Sequence, residues 1–101
     1  MATWHWTDDD AGYEDWLVCH PTGFQANLTN PPGARYFRIH RATCRLPDRS
    51  LPGNSNPRTG RAYSKVTADT VAELVAWARA HLPELQDFTE ANYCKICTPT
   101  D

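Results

Sequence analysis

The sequence lacks the features that mark membrane proteins, secreted proteins and disordered chains. It has no run of about 18 apolar residues and no signal-peptide pattern before its first charged cluster, so neither a membrane span nor secretion is predicted. Apolar and aromatic residues are frequent enough to build a packed core. We therefore expect one cytoplasmic globular domain spanning residues 1–101. In that reducing compartment the four cysteines favour metal binding over disulfides.

Acidic residues are almost missing between residues 33 and 66. Asp48 is the single acid there, against seven arginines and one lysine, so this third of the chain has a net charge of +7. Because the whole chain carries −2, the remainder carries −9. Such asymmetry predicts an acidic or phosphate-bearing partner. The alternative is that the basic surface faces the acidic helices of the same domain, and the chain as a whole is more acidic than most nucleic-acid-binding domains.

Two short motifs supply the ligands of a tetrahedral metal site. His40 and Cys44 form a His-x3-Cys unit, and Cys94 and Cys97 form a distant Cys-x2-Cys unit. One imidazole and three thiolates match structural zinc in number and type, and four protein ligands leave no position for water. The sequence therefore predicts a structural Zn²⁺ site at these four residues. The alternative is two disulfides or free thiols beside an ordinary surface histidine.

Catalytic interpretations of these residues have little support. A thioredoxin-like pair would open a helix after a strand, whereas only the residues Thr98-Pro99-Thr100-Asp101 follow the Cys-x2-Cys unit. A zinc deaminase would need a glutamate where Ala42 stands, and an open coordination position that Cys44 fills. No nucleophile elbow and no phosphate-binding glycine loop occur. We predict that the protein is not an enzyme.

The order HRATC, a polar loop, a helix and NYCKICTP, over about residues 36 to 99, resembles the small zinc-binding module of the Ada DNA-repair family. Most of the chain is similar to a group of uncharacterised actinobacterial proteins with an HR-x-x-C strand end, an AEL-x-AWA helix and a terminal Cys-x2-Cys; the segments DDAGYEDWL and HPTGF belong to this second resemblance. The Ada resemblance implies a metal site and a nucleic-acid context. It does not imply the repair chemistry, because His40 stands where the methyl-accepting cysteine of Ada would be, and imidazole has no thiolate to alkylate.

Two helices are predicted. Thr7 is a good N-cap, and the aspartates that follow it favour a first helical turn, so one helix should run from there to about Val18 or Cys19. Cys19 is expected to be a buried small residue on a helix face. Asp69 should cap a second helix over residues 70–82, whose apolar residues recur at helical spacing and should pack on a sheet.

Three stretches have the pattern of strands. The turn Asn30-Pro31-Pro32-Gly33 should return a strand at 24–29 into a strand at 35–40, which places His40 at a strand end. A third strand is predicted at 62–67, and Trp4-His5-Trp6 predicts a short strand or an anchoring arm. The predicted fold class is α+β, a small antiparallel sheet of about three strands with two helices and a zinc site of one His and three Cys. The proline-rich and glycine-rich residues 46–60 predict a long exposed loop, either functional or disordered.

Together these features predict a small zinc-stabilised module that contacts the phosphates of DNA or RNA through an arginine-rich surface. The residues expected to make these contacts are Arg35, Arg38, Arg41, Arg45, Arg58, Arg61 and Lys65. The alternative is a protein-interaction adaptor, an accessory or defence-related protein with a purely structural zinc. A redox or zinc-sensing switch is a third possibility and requires a labile metal. No membrane association and no small-molecule substrate are predicted.

Overall fold

The computed structural model describes residues 3–44, 59–60 and 63–99. Within these ranges the elements in chain order are β1 (Thr3–Trp6), α1 (Asp10–Cys19), β2 (Phe24–Thr29), β3 (Phe37–Arg41), β4 (Tyr63–Ala68), α2 (Val71–His81) and a 3₁₀ turn (Glu90–Asn92). Apart from its last two residues, the predicted loop at 46–60 lies outside the described residues. None of the helices in these ranges combines the length and the apolar character that crossing a bilayer requires.

The strands form one antiparallel sheet in the order β1-β4-β2-β3. Ala26 of β2 pairs with Ile39 of β3 on one side and with Val66 of β4 on the other, so β2 and β4 are the central strands. β1 lies on the far side of β4, where His5 pairs with Val66. The predicted α+β class is confirmed, and Trp4-His5-Trp6 supplies a fourth strand. The predicted hairpin between the strands at 24–29 and 35–40 is also present, although β3 itself spans Phe37–Arg41.

One face of the sheet packs against α2 through an apolar core. Side chains alternate between the two faces of a strand, so every second residue of β2, β3 and β4 points to this helix. Leu74 and Ala78, one turn apart on α2, are fully buried against them. Trp77 lies at the border of the core, with its ring stacked 6.2 Å from that of Phe37. The buried members of this core are Phe24, Ala26, Leu28, Phe37, Ile39, Val66, Ala68, Leu74, Ala78, Leu82 and Leu85.

The other face of the sheet is polar, and α1 covers it. Tyr13 of α1 is 1% exposed and donates its hydroxyl hydrogen to Gln25 Oε1. Lys65 lies beneath the same helix, with its Nζ 5.8 Å from the centroid of the Tyr13 ring and 2.7 Å from Asn27 Oδ1, to which it donates. These hydrogen bonds offset the cost of removing polar groups from water. The sheet is therefore buried on both faces, with an apolar layer under one helix and a polar layer under the other.

The start of α1 differs from the prediction. Its N-cap is Asp9, whose side chain accepts a hydrogen bond from Gly12 N–H at 3.0 Å, and not Thr7. Asp8 has a φ of 51°, so the chain turns before the helix begins and leaves two aspartates outside it. The helix ends at Cys19 as predicted. That thiol is exposed, however, so the prediction that Cys19 is buried is wrong.

The start of α2 also lies one residue later than predicted. Thr70, and not Asp69, is the N-cap, and its hydroxyl accepts a hydrogen bond from Glu73 N–H at 3.2 Å. The Thr70 hydroxyl also donates to the Glu73 carboxylate at 2.9 Å. Both residues therefore fix the direction in which α2 leaves β4 and crosses the apolar face of the sheet.

Candidate metal centre

The first two candidate ligands lie at the end of β3. His40 is the next-to-last residue of that strand, and a turn over residues 41–44, closed by a hydrogen bond from Cys44 N–H to Arg41 O at 3.0 Å, directs Cys44 back toward it. The side chain of Gln25 in β2 supports the turn by donating to the carbonyls of Arg41 and Ala42 at 3.2 and 3.4 Å. The geometry of this ligand pair is therefore set by the hairpin between β2 and β3.

The other two candidate ligands lie on a segment that runs along the outer edge of β3. We call residues 92–98 the C-terminal knuckle. Tyr93 forms a parallel bridge with Ile39, and Cys94 N–H donates to Ile39 O at 2.9 Å. Asn92 Nδ2 donates to Phe37 O at 2.9 Å. These contacts hold the knuckle against the strand that carries His40.

The four predicted ligand atoms come together at one place. The ligand atoms of His40, Cys44, Cys94 and Cys97 all lie within 4.8 Å of one another, and Cys44 Sγ is 3.5 Å from His40 Nδ1. Bonds of about 2.3 Å to sulfur and about 2.0 Å to nitrogen would separate tetrahedral ligand atoms by about 3.5 to 3.8 Å. All four cysteines of the chain are free thiols, which is contrary to the disulfide alternative. The cluster could therefore hold one metal ion.

Burial and neighbouring charges set the protonation of these side chains. His40 is 3% exposed, and its burial, together with the positive charges of Arg38 and Lys65, lowers its pKa to about 4. The imidazole is therefore neutral at pH 7, the form that coordinates a metal. Burial raises the pKa of Cys97 to about 12. Burial also acts to raise the pKa of Cys94, but hydrogen bonds from the backbone N–H groups that follow it bring that pKa below its usual value. A cation at the centre would displace thiol protons, because metal binding requires thiolates.

Arg41 fastens the knuckle to the end of β3. Its backbone N–H donates to Cys97 Sγ at 3.3 Å, its Nε donates to Cys97 O at 2.8 Å, and a terminal guanidinium nitrogen donates to Thr98 O at 3.0 Å. Hydrogen bonds of this kind orient metal ligands from outside the coordination shell. Three thiolates and one divalent ion would also carry a net negative charge, which the positive guanidinium of Arg41, bonded to the carbonyl of Cys97, would partly offset.

The basic residues predicted to contact nucleic acid have different environments. Three of the seven lie outside the described residues, namely Arg45, Arg58 and Arg61. Arg35 is exposed. Arg38 donates its Nε to Ala91 O at 3.3 Å, and Arg41 donates to the knuckle. Lys65 is 2% exposed beneath α1, so its assignment to a phosphate-binding surface is wrong. Among the described members of the set, Arg35 is therefore the one best placed to meet a phosphate.

An open cleft of about 930 Å³ adjoins the cluster, between the start of α2 and the knuckle. Its lining is mainly apolar and includes Val71, Ala72, Tyr93 and Pro99, with the buried ligand Cys94 at its wall. The sequence did not predict this cleft, because its walls come from segments about twenty residues apart that share no local pattern.

Two residues that position the ligands were also not predicted, namely Gln25 and Asn92. Gln25 is one of the polar residues that alternate with apolar residues along β2. The sequence alone does not show whether the polar face of such a strand is buried or meets solvent. Asn92 does have a signal. It lies three residues after Thr89 in the order of a capping box, and Thr89 N–H donates to Asn92 Oδ1 at 3.0 Å.

Comparison with protein-family models, with curated proteins and with solved structures finds no match to this chain.

Proposed function

We propose that this chain is a zinc-stabilised binding module whose metal is structural. The observation that carries the proposal is the convergence of one imidazole and three thiols within 4.8 Å. Sulfur-rich donor sets of this kind select Zn²⁺ over hard ions such as Mg²⁺ and Ca²⁺. Four protein ligands fill a tetrahedral shell, which leaves no position for an activated water or a substrate, and we therefore propose binding rather than catalysis.

The structural role follows from what the ligands connect. His40 and Cys44 belong to the β2–β3 hairpin, whereas Cys94 and Cys97 belong to the knuckle, and residues 45–93 separate the two pairs. A metal ion would tie the knuckle to the sheet edge and close this long loop. Because ligands so far apart in sequence are not assembled in an unfolded chain, the free energy of metal binding contributes to folding.

For the partner, we infer that the module binds a protein. The support is the surface beside the four candidate ligands, where the mainly apolar cleft adjoins the knuckle and Ile96 of the knuckle is 77% exposed. Apolar side chains held out by a rigid loop are typical of protein-binding surfaces. The chain would then be a protein-interaction adaptor with the knuckle as its docking surface.

Nucleic-acid contact is the second candidate. It is supported by the net charge of +7 over residues 33–66 and by the exposure of Arg35. It would depend on Arg35, Arg45, Arg58 and Arg61, since Arg38 and Arg41 donate to carbonyls of their own chain and Lys65 is buried. Binding through phosphates would weaken steeply as the salt concentration rises, without preference for sequence.

Elemental analysis of the purified chain tests the metal. We expect one zinc per chain and a loss of that zinc in the Cys97→Ser variant. Cys19→Ser is the matched control, because it removes a thiol that lies outside the cluster. A chain that carries no metal in zinc-containing medium, or a Cys97→Ser variant that keeps its zinc, contradicts the proposal.

Two binding measurements separate the partner classes. Fluorescence anisotropy with labelled DNA and RNA, at low and at physiological salt, should show no salt-steep binding if the partner is a protein. An Ile96→Asp variant should lose the proteins that the unmodified chain retains, whereas Val18→Asp, which changes an equally exposed apolar residue on α1, should keep them. Salt-steep binding that Arg35→Glu weakens would instead favour the nucleic-acid function.

A further inference from the structure

The two outer edges of the sheet differ in whether another segment of the described chain covers them. The edge of β3 is covered by the knuckle, which supplies donors to Phe37 O and Ile39 O and an acceptor to Arg41 N–H. The edge of β1 has no such cover among residues 3–44, 59–60 and 63–99. All the pairs of β1 (Thr3–Trp6) are with β4, and the nearest further backbone bond is the one from Asp8 N–H to Thr59 O, beyond the strand. Within the part of the chain that the structure describes, the outward N–H and C=O groups of β1 therefore form an open pairing edge.

β1 also lacks the devices with which proteins protect an edge strand. Its residues are Thr3, Trp4, His5 and Trp6, without proline, lysine or an acidic side chain. Threonine and tryptophan favour extended backbone, so the strand is well suited to accept a neighbour. Trp4 is 42% exposed, which leaves apolar surface beside the open edge.

Both helices hold β1 in place. The rings of His5 and Trp77 of α2 are 5.3 Å apart, and a Cβ added at Gly12 of α1 would lie 2.7 Å from the Trp6 ring. The strand is therefore packed from the two faces of the sheet. Its outward backbone groups are kept in a fixed geometry, which lowers the entropy cost of pairing with another strand.

We propose that β1 pairs antiparallel with β1 of a second copy of this chain, so that two four-stranded sheets join into one sheet of eight strands. The pairing of a strand with its own symmetry mate is closed, because one contact occupies both open edges. β1 contains no acidic residue, lysine or arginine, so the two copies meet without repulsion across the pair. Aspartates at 8, 9 and 10 follow β1 after Thr7, and an antiparallel pair places these acidic groups of the two copies at opposite ends. A parallel pair would place them side by side, which like charges disfavour.

A second copy fits this edge, because β1 carries no acidic residue, lysine or arginine that would repel its own copy and an antiparallel pair matches its outward donors with its outward acceptors. The contact is short, at four residues per copy, so the association is weak and depends on concentration. It lies on the opposite edge of the sheet from the knuckle, so it leaves the proposed metal site and the cleft accessible.

Sedimentation equilibrium of the full, zinc-loaded chain tests the proposal. The mean mass should rise from 11.4 kDa toward twice that value as the concentration increases from micromolar to millimolar. Trp4→Lys places like charges across the symmetry axis and should return the mass to that of the monomer. Val18→Lys is the matched control, since it exchanges another exposed apolar residue for lysine on α1 and should leave the dimer intact.

Hydrogen–deuterium exchange of the unmodified chain gives a second readout that does not depend on the folding of a variant. The amides of β1 that point away from β4 should exchange more slowly as the concentration rises, while those of α2 should not change. A monomer mass at every concentration overturns the proposal. So does a dimer in which exchange at β1 is independent of concentration, because the two copies would then meet through another surface.

Discussion

Removing the metal should detach the knuckle from the sheet and lower the stability of the whole domain. Hydrogen bonds around the cluster hold the knuckle to β3, a bound cation would add its bonds to the four ligands, and few apolar side chains of the knuckle join the main core. Without a cation, the pKa of about 12 keeps Cys97 protonated, and the cluster loses the bonds that join its two halves. The sheet and α2 keep their apolar core, so partial rather than complete loss of structure is expected.

The hydrogen bonds between the knuckle and β3 set the size of this loss of stability. Five hydrogen bonds join the knuckle to β3, two from Cys94 and Asn92 and three from Arg41. At about 0.5–1.5 kcal/mol each, their combined net contribution is about 2.5–7.5 kcal/mol. In a domain of this size 1 kcal/mol corresponds to about 4–8 °C in Tm, so removal of the metal should lower Tm by at least about 10 °C.

Thermal unfolding followed by circular dichroism measures this effect. The zinc-loaded chain is compared with the same sample after treatment with a chelator, and added zinc should restore the original Tm. Cys97→Ser should show the low Tm with and without zinc, whereas Cys19→Ser should respond as the unmodified chain does. If the metal is shown to be gone and Tm has moved by less than about 2 °C, the knuckle does not depend on the ion and the structural role is wrong.

Three further predictions concern single residues. Leu74→Ala opens a cavity in the fully buried core and should lower the free energy of unfolding by about 2–5 kcal/mol in urea titrations, and a smaller loss would mean that the core collapses around the gap. Asn92→Ala removes the donor to Phe37 O and should cost about 1–3 kcal/mol. In competition with a chromophoric chelator the zinc affinity should then be about 5- to 150-fold weaker, and unchanged affinity would show that Asn92 does not position the ligands. Burial, and then the electrostatic effect of His81, lower the pKa of His5 below 6.5. The unfolded chain therefore binds a proton at this histidine at a higher pH than the folded chain does. As a result, the free energy of unfolding decreases as the pH falls below 6.5. His5→Gln should therefore lose less stability than the unmodified chain between about pH 7.5 and about pH 5.5, and equal losses would contradict this.

The cluster of one histidine and three cysteines could be predicted because its chemistry follows from residue types. Cysteine and histidine at short spacings are rare enough that His40, Cys44, Cys94 and Cys97 stand out without any knowledge of the fold. Their convergence then requires that a strand end and a distant segment meet. The turn residues at 30–33 predict the hairpin that places His40 at the end of a strand. The position of Cys94 and Cys97 beside that strand end has no such local signal. The bounds of β2, at 24–29, follow from the same local signals.

The positions of polar residues could not be predicted in the same way. Gln25 lies between two apolar neighbours and Lys65 precedes one, a pattern usually seen where one face of a strand meets water. In this fold α1 covers that face, so both residues are buried and hydrogen-bonded. The strand order β1-β4-β2-β3 is the reason, since it brings segments that are far apart in sequence under one helix. Cys19 is the opposite case, a small apolar residue that was expected to be buried and is exposed at the end of a short helix.

The helix starts were predicted only approximately. Three consecutive aspartates follow Thr7, and any of several residues in that run has the chemistry of an N-cap. The backbone at Asp8, with its positive φ, decides in favour of Asp9, and it does so because Asp8 N–H and Asp9 N–H both donate to Thr59, from a part of the chain fifty residues away. Tertiary contacts of this kind override local preference.

The contact between the knuckle and β3 has a consequence for the newly made chain. His40 and Cys44 leave the ribosome well before Cys94 and Cys97, with residues 45–93 still to come, so the ligand set stays incomplete during most of synthesis. Until the knuckle has been synthesised, it cannot cover the outer side of β3 in the nascent polypeptide, and exposed strands of this kind pair with other chains. If the cluster binds a metal, capture of the ion after Cys97 has emerged would end this period, and the supply of metal in the cell would then help to set how much of the product escapes aggregation.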